Sequence, residues 1–334
     1  MLIGYNVGVM ISGNRSVRLL MVQVGLFLVL FLLTPALTRA QNQSFESGTG
    51  EGISRMGATI CVGNCPLVWD AVAPVYQPIV DSGAQLFEIN TPTLKATATQ
   101  EPTLGMKIVR VWVADPYNQF HKIDRSGGES VPQIINRGIV ENGLTGMALV
   151  GSNASFTKSS NYDPPLGNFN LTEGKVTMNN PGGPGFKAYG AYILYTTISK
   201  EGKLTNYGPP RSTGAERTLF AKMIDDGIRN TIGLYHGMQL IQDYQVYYIT
   251  EPRSAIRISL CQVNKNNFIY FLSTRLNTMT EHAEMQKKYG CLNGVNLDGG
   301  GSTNLFYKQQ GEGAVTLVKG SGRVRPEAIY FSEY

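Results

Sequence analysis

The chain has 334 residues, 42% of them hydrophobic and 16% charged, a composition that supports one large or two smaller packed domains and excludes a disordered polymer. Its formal charge is +5, but three of the 29 basic residues, Arg15, Arg18 and Arg39, lie in the first 40 residues, which hold no acid. The remaining 26 Lys and Arg against 24 Asp and Glu leave a body near +2, which carries no electrostatic footprint for nucleic acid.

Arg15 and Arg18 precede an apolar run from Leu19 to Leu33, and Pro35 and Thr38-Arg39-Ala40 follow it. Basic, apolar and small residues in that order read as a secretory signal peptide, residues 1–40, cut after Ala40. The alternative is an uncleaved anchor, but the run is shorter than the roughly 20 residues a spanning helix needs. Both readings export the body to a secreted or periplasmic location and confine membrane contact to this segment. Four cysteines suit an oxidising compartment, and Cys61–Cys65 with Cys261–Cys291 is the first choice among three connectivities. His121, His236 and His282 are widely spaced and far from any cysteine in sequence, so they read as surface or packing residues rather than a zinc cluster. Asn42, Asn153 and Asn170 each open an N-x-S/T sequon.

Residues 41–102 read as a linker and N-terminal extension. Gln41 to Gly57 is rich in Gln, Ser, Gly and Glu, Leu67 to Phe87 is apolar with Pro74 and Pro78 inside it, and Thr91 to Pro102 is rich in Thr and carries Pro92 and Pro102. The boundary falls in that last stretch, leaving a main domain over 103–334. Met106 to Ala114 alternates Val109, Val111 and Val113 with Ile108 and Trp112, the pattern of a strand buried on both faces. Further strands are predicted at Met147–Val150, Ala191–Ile198, Ala255–Val263 and Phe268–Ser273, the last two joined as a hairpin by Asn264 to Asn267. Amphipathic helices are predicted over Ala215–Ile228 and Thr280–Tyr289, the second stopped by Gly290. Strands outnumber helices without regular βα alternation, so the fold class is α+β, a mixed or antiparallel β-sheet with covering helices.

The stretch most suggestive of chemistry is Asn296-Leu297-Asp298-Gly299-Gly300-Gly301-Ser302-Thr303. An apolar run from Val295 delivers Asp298 to the end of a strand, and the glycines free the backbone to form a concavity of N–H groups. Ser302 and Thr303 add hydroxyl donors, so Gly299 to Thr303 are the candidate phosphate cradle. The competing reading is a tight turn that Asp298 merely braces.

This C-terminal part resembles the phosphodiester glycosidase family. The resemblance rests on a helix opening at Glu281-His282-Ala283-Glu284, Gly290 at its end, and Asn296 to Ser302 in register after it. Weaker matches are Glu251 to Ile256, Arg323 to Phe331, and Gly151 to Phe156 with Pro165 to Lys175, so that coverage runs from about Met106 to Tyr334. Where many members carry two glycines and two aromatics after the asparagine, this chain has Ala154, Ser155, Phe156 and Thr157. The resemblance implies a hydrolase acting on a glycosyl phosphodiester of a glycan or envelope polymer.

Such a reaction needs a group for the phosphate charge and an acid or base at the glycosidic oxygen or the attacking water. Asp298 is the candidate acid/base, or the ligand of a divalent cation if the reaction uses one. Arg253 reads as a phosphate clamp or a structural ion-pair partner, Asn153 as a polar orienter or a turn residue, and Glu281 as a second carboxylate or a first-turn helix residue. The alternative function is a non-catalytic envelope, assembly or glycan-binding protein that keeps the fold and docks through residues 41–102.

Overall fold

A computed structural model describes residues 53–55, 58–60, 84–101, 105–124, 129–156, 166–183, 187–188, 191–247, 253–320 and 327–334. The segment read as a signal peptide and the expected Cys61–Cys65 pairing lie outside these residues. The chain divides into two units, Met1–Leu67 and Val68–Tyr334. In the first, β1 (Ile53–Arg55) and β2 (Ala58–Ile60) pair antiparallel.

The second unit begins with β3 (Gln85–Asn90), β4 (Leu94–Glu101) and β5 (Met106–Val113), then a single turn α1 (Pro116–Gln119), β6 (Phe120–Asp124) and α2 (Val131–Glu141). There follow β7 (Leu149–Asn153), β8 (Phe169–Thr172), β9 (Lys175–Asn179), β10 (Lys187–Ala188), β11 (Ala191–Ile198), β12 (Leu204–Tyr207) and α3 (Thr213–Asp225). The C-terminal part holds β13 (Ile232–Tyr235), β14 (Gln239–Gln242), β15 (Gln245–Val246), β16 (Ile258–Asn264), β17 (Asn267–Ser273) and α4 (Met279–Lys288). It closes with β18 (Asn293–Asn296), β19 (Leu305–Lys308), β20 (Thr316–Lys319) and β21 (Glu327–Ser332).

An eight-stranded sheet runs in the order β15-β14-β18-β16-β17-β5-β4-β3, and a five-stranded sheet in the order β20-β19-β7-β21-β6, both antiparallel at every pairing. Alternation along the strands feeds one main core, with Val109, Val111, Leu260, Phe268 and Val295 from the larger sheet and Val150, Leu305, Ile329 and Phe331 from the smaller. The outer face of the larger sheet is covered by Met279, Ala283 and Met285 of α4, and that of the smaller by Ile134, Ile135 and Ile139 of α2. A third sheet of β10 to β13 packs Ile193 and Tyr195 against Phe220 and Met223 of α3. The α+β class with antiparallel sheets and covering helices is therefore what the chain adopts.

The domain boundary read from composition does not hold. The stretch from Thr91 to Glu101 is largely β4, paired along its length with β5 from Leu94↔Val113 to Glu101↔Met106, and β3 pairs with β4 beyond it. Of its buried positions only Leu94 is large and apolar, Ala96 and Ala98 being small and Thr99 and Glu101 polar, so the alternation is present but muted in hydrophobicity. Residues 85–101 are thus sheet, not a docking arm.

Cys261 and Cys291 form the expected disulfide, Cα atoms 5.7 Å apart and both fully buried. It ties β16 to the turn that leads into β18, the strand that delivers Asp298. The bridge encloses a loop of 30 residues, so chain entropy assigns it about 3–4 kcal/mol. Urea unfolding of Cys261→Ala/Cys291→Ala should show a loss of that order; an unchanged midpoint would mean the bridge adds nothing to the folded state.

Candidate active site

The antiparallel register brings six strand ends together. Ser259↔Asn296 and Gln239↔Val295 align the start of β16 and the start of β14 with the end of β18. Leu305↔Ser152 and Ala328↔Asn153 do the same for β19 and β21 around the end of β7. Asp298 and Asn153 therefore meet where the two sheets end. The Asp298 amide donates to the Ala154 carbonyl at 3.0 Å, and the Leu297 amide to Ile258 at 2.9 Å.

Asn153 is fully buried and holds the loop at both ends. Its Nδ2 donates to the Asp298 carbonyl at 2.7 Å, and its Oδ1 accepts from the Asn304 amide at 2.7 Å. It is a clasp on the glycine loop rather than a pocket-lining polar group, and its sequon is closed in the folded chain. The same holds for Asn170, whose amide is buried and bonded to Asp124 and Thr177.

Inside the clasp, residues Gly300–Ser302 form a 3-10 turn. The Gly300 amide donates to Ile256, Ser302 to Gly299 at 3.1 Å and Thr303 to Gly300 at 3.5 Å, while the Thr303 hydroxyl also donates to the Gly300 carbonyl at 3.0 Å. The Ser302 and Thr303 amides close the turn and the Gly300 amide ties it to Ile256, so these three donors have partners within the protein instead of standing open as the expected anion cradle would have them. The glycines answer to geometry instead. Gly300 has φ +64, and a Cβ on Gly299 would sit 2.8 Å from the Ile256 carbonyl.

Asp298 is buried, 8% exposed, where the ends of the two sheets meet. Arg253 lies exposed on the segment that leads into β16, the same segment whose Ile256 carbonyl receives the glycine loop. Its carbonyl is held by the buried Arg257 guanidinium, which also donates to the Asn277 carbonyl at 3.0 Å. Glu281 serves the start of α4. Its Oε2 accepts from the Thr278 amide at 2.6 Å while the Thr278 hydroxyl accepts from the Glu281 amide, a capping box at the start of α4 that holds its carboxyl below the ordinary range. Among the described residues no group of three or more His, Cys, Asp or Glu side chains comes together to hold a metal.

Two buried clusters beneath the site escaped the sequence. Glu327, at the start of β21, accepts from the Ser155 amide and hydroxyl and pairs with the buried Lys122 ammonium at 2.9 Å; burial pushes its carboxyl up against that pairing. The Ser155 hydroxyl in turn accepts from the Gly233 amide at 2.8 Å, so Ser155 pins the floor after Asn153 to β13 and β21. Behind β18, the His282 ring lies between the Ser259 and Ser273 hydroxyls at 2.9 and 2.7 Å. It is a packing histidine, as its lone position suggested.

No curated protein matches the chain. The model of the phosphodiester glycosidase family matches residues 147–332, more than half of its length. Among solved structures, the catalytic domain of zebrafish N-acetylglucosamine-1-phosphodiester alpha-N-acetylglucosaminidase, auto-inhibited by its pro-peptide, is similar with a TM-score of 0.50 and 16% identity, over 73% of this chain and 85% of that one. A hypothetical protein from Synechocystis gives 0.45 and 14% over 76% and 64%, and an exported protein of Burkholderia pseudomallei gives 0.35 and 11% over 71% and 74%. At 16% identity the zebrafish likeness is one of fold.

Two outcomes follow from the geometry. Asn153→Ala removes the hydrogen bonds to the Asn304 amide and the Asp298 carbonyl, at about 1–3 kcal/mol each, so denaturant unfolding should show a loss of roughly 2–6 kcal/mol. A loss under 1 kcal/mol would mean the loop stands without the clasp. Burial and the Arg257 charge push His282 down to about 3, against an unfolded value near 6.5. The unfolded chain therefore takes up the proton first, and stability falls by about 1.4 kcal/mol per pH unit from pH 6.5 downwards to 3. Unfolding free energies measured between pH 7 and 5 should slope in the native protein and flatten in His282→Asn; parallel lines would remove His282 as the cause.

Proposed function

Because the chain belongs to the phosphodiester glycosidase family, we propose that it is an exported hydrolase that cleaves a glycosyl phosphodiester. The observation that supports the reading most directly is Asp298, held at the joint end of two sheets by backbone and by the Asn153 clasp, with Arg253 on the adjoining segment. The bond broken is that between the anomeric carbon and the bridging oxygen of the diester; water supplies the new anomeric oxygen, and a phosphate monoester departs with the bonding pair. That leaving group is a weak base and needs little protonation. The step that needs help is removal of the proton from the attacking water, and Asp298 is the carboxylate placed to take it. The Arg253 guanidinium is the candidate partner for the phosphate oxygens, by paired charge-assisted hydrogen bonds. Export rests on the order of basic, apolar and small residues before Ala40 and on a fully buried disulfide, which forms and persists in an oxidising compartment.

A second reading, a glycan-binding protein that retains the fold without turnover, draws on the consumed donors of the glycine loop and on the Ala154-Ser155 floor. Asp298→Asn separates the two. It keeps the size of the side chain and one acceptor while removing the exchangeable proton site. Under the hydrolase reading, turnover of a methyl N-acetylglucosaminyl phosphodiester falls about 10²–10⁴-fold while the melting temperature shifts by only a few degrees. Normal turnover with a lowered melting temperature would reduce Asp298 to a brace for the loop.

A further inference from the structure

Beside Asp298, on the side away from Arg253, the chain builds a second wall. β13 ends at Tyr235, and a 3-10 turn over His236–Met238 leads into β14, the neighbour of β18. Met238 places its sulfur 3.5 Å from Asn296 Nδ2, two residues before Asp298. From the other sheet, Phe156 lies two residues past the Ala154 carbonyl that binds the Asp298 amide, and its ring sits 5.2 Å from that of Tyr235. Tyr247, returned to the same end by the β14–β15 hairpin, meets His236 edge-on at 5.7 Å, its hydroxyl 3.2 Å from Nε2. All four rings are half-buried.

These groups differ in kind from those on the Arg253 side. They are aromatic faces with polar tips, and burial together with the nearby Arg211 charge lowers the His236 imidazole, which leaves it neutral at pH 7. The rings themselves offer a phosphate no charge, and the nearby Arg211 guanidinium lies over the Tyr192 ring, 6.0 Å from its centroid. A pyranose fits them: its faces carry C–H bonds that pack on aromatic surfaces, and its rim of hydroxyls pairs with groups that both donate and accept, as a neutral imidazole and a phenol do. A wall serving only as core has no use for a His–Tyr polar pair held at the surface.

We propose that Phe156, Tyr235, His236 and Tyr247 form the subsite for the sugar ring, placing its anomeric carbon toward Asp298 while the phosphate lies on the Arg253 side. This rests on the hydrolase reading for the identity of the ligand, but its test has a separate readout. Binding of free N-acetylglucosamine and of glucose is followed by saturation-transfer NMR on the exported domain, together with turnover of the methyl phosphodiesters of the same sugars. Tyr247→Phe keeps the ring and the packing while removing the hydroxyl, and His236→Gln keeps a donor and an acceptor. Tyr235→Ala removes an aromatic face, with the melting temperature as its check on folding.

The expected result is that Asp298→Asn still binds one of the sugars whereas Tyr235→Ala and Tyr247→Phe weaken binding about tenfold and raise KM by a similar factor, with kcat within threefold. Sugar binding unchanged in all three wall variants overturns the subsite even if the diester is cleaved. So does the absence of any sugar signal from the native protein at millimolar concentrations. Binding lost in the wall variants of a protein that cleaves no diester keeps the subsite and sinks the hydrolase.

Discussion

One buried amide decides where the rest of the site stands. Asn153 bonds the carbonyl at one end of the glycine loop and the amide at the other, across 145 and 151 residues of sequence. The side chain reaches both only because β7 ends at the same level as β18, which the registers of two separate sheets must agree on. A one-residue slip in either sheet would turn Asn153 to the opposite face and leave two buried polar groups of the loop unpaired. The position of Asp298 is thus a property of the whole sandwich.

The floor next to that clasp follows the same logic. Ala154 and Ser155 stand where many family members carry glycines, and Ser155 is tied on three sides: its amide and hydroxyl go to Glu327, and its hydroxyl receives Gly233. Glu327 in turn needs Lys122, since a lone carboxylate in this interior would cost several kcal/mol or take up a proton. Lys122 is itself held by Asn170, the Leu171 carbonyl and Asp124. Buried ion pairs of this kind add little net stability, but removing one member is costly. Their effect here is to join β6, β8, β13 and β21 at the point where β7 gives way to the floor, which makes the altered segment a fixed surface.

Much of this was legible where a segment's burial shows in its own residues. β5, β11, the β16–β17 hairpin and α4 carry their apolar alternation or helical spacing openly, and the disulfide followed from compartment and position. β4 was hidden because its core positions after Leu94 are alanines flanked by threonines, which compose like a linker. α2 was missed because Pro132 and Gly138 look like breakers. The proline lies in the first turn, where its missing N–H costs nothing, and a Cβ on Gly138 would come within 3.1 Å of Ile123 on β6, so glycine permits the helix to pack close. At the site, Asp298 and Asn153 were legible as positions but not as roles. Whether an amide binds ligand or clasps a loop depends on partners distant in sequence. Glu281 shows the converse: Thr278 three residues before it spells a capping box, a local signal that accounts for the carboxylate as a helix cap.

The two walls flanking Asp298 are also built with different backbones. The Arg253 side continues into β16, which pairs with β18 in unbroken register and is locked to it by the disulfide. The ring side continues into β14, whose pairing with β18 shifts between Gln239 and Ile241. A bulge at the rim of a sheet bends the strand and re-aims the residues just before it, and those residues are His236 to Met238. A straight β14 would carry His236 along the sheet, away from Tyr247, instead of turning it to meet that hydroxyl. Regular pairing holds the strand that delivers Asp298 in fixed register with the strand that follows Arg253. The irregular strand is where ring placement is free to differ without moving Asp298; under the subsite proposed above, a change in sugar preference would have its structural origin in β14 and the turn before it rather than in the glycine loop.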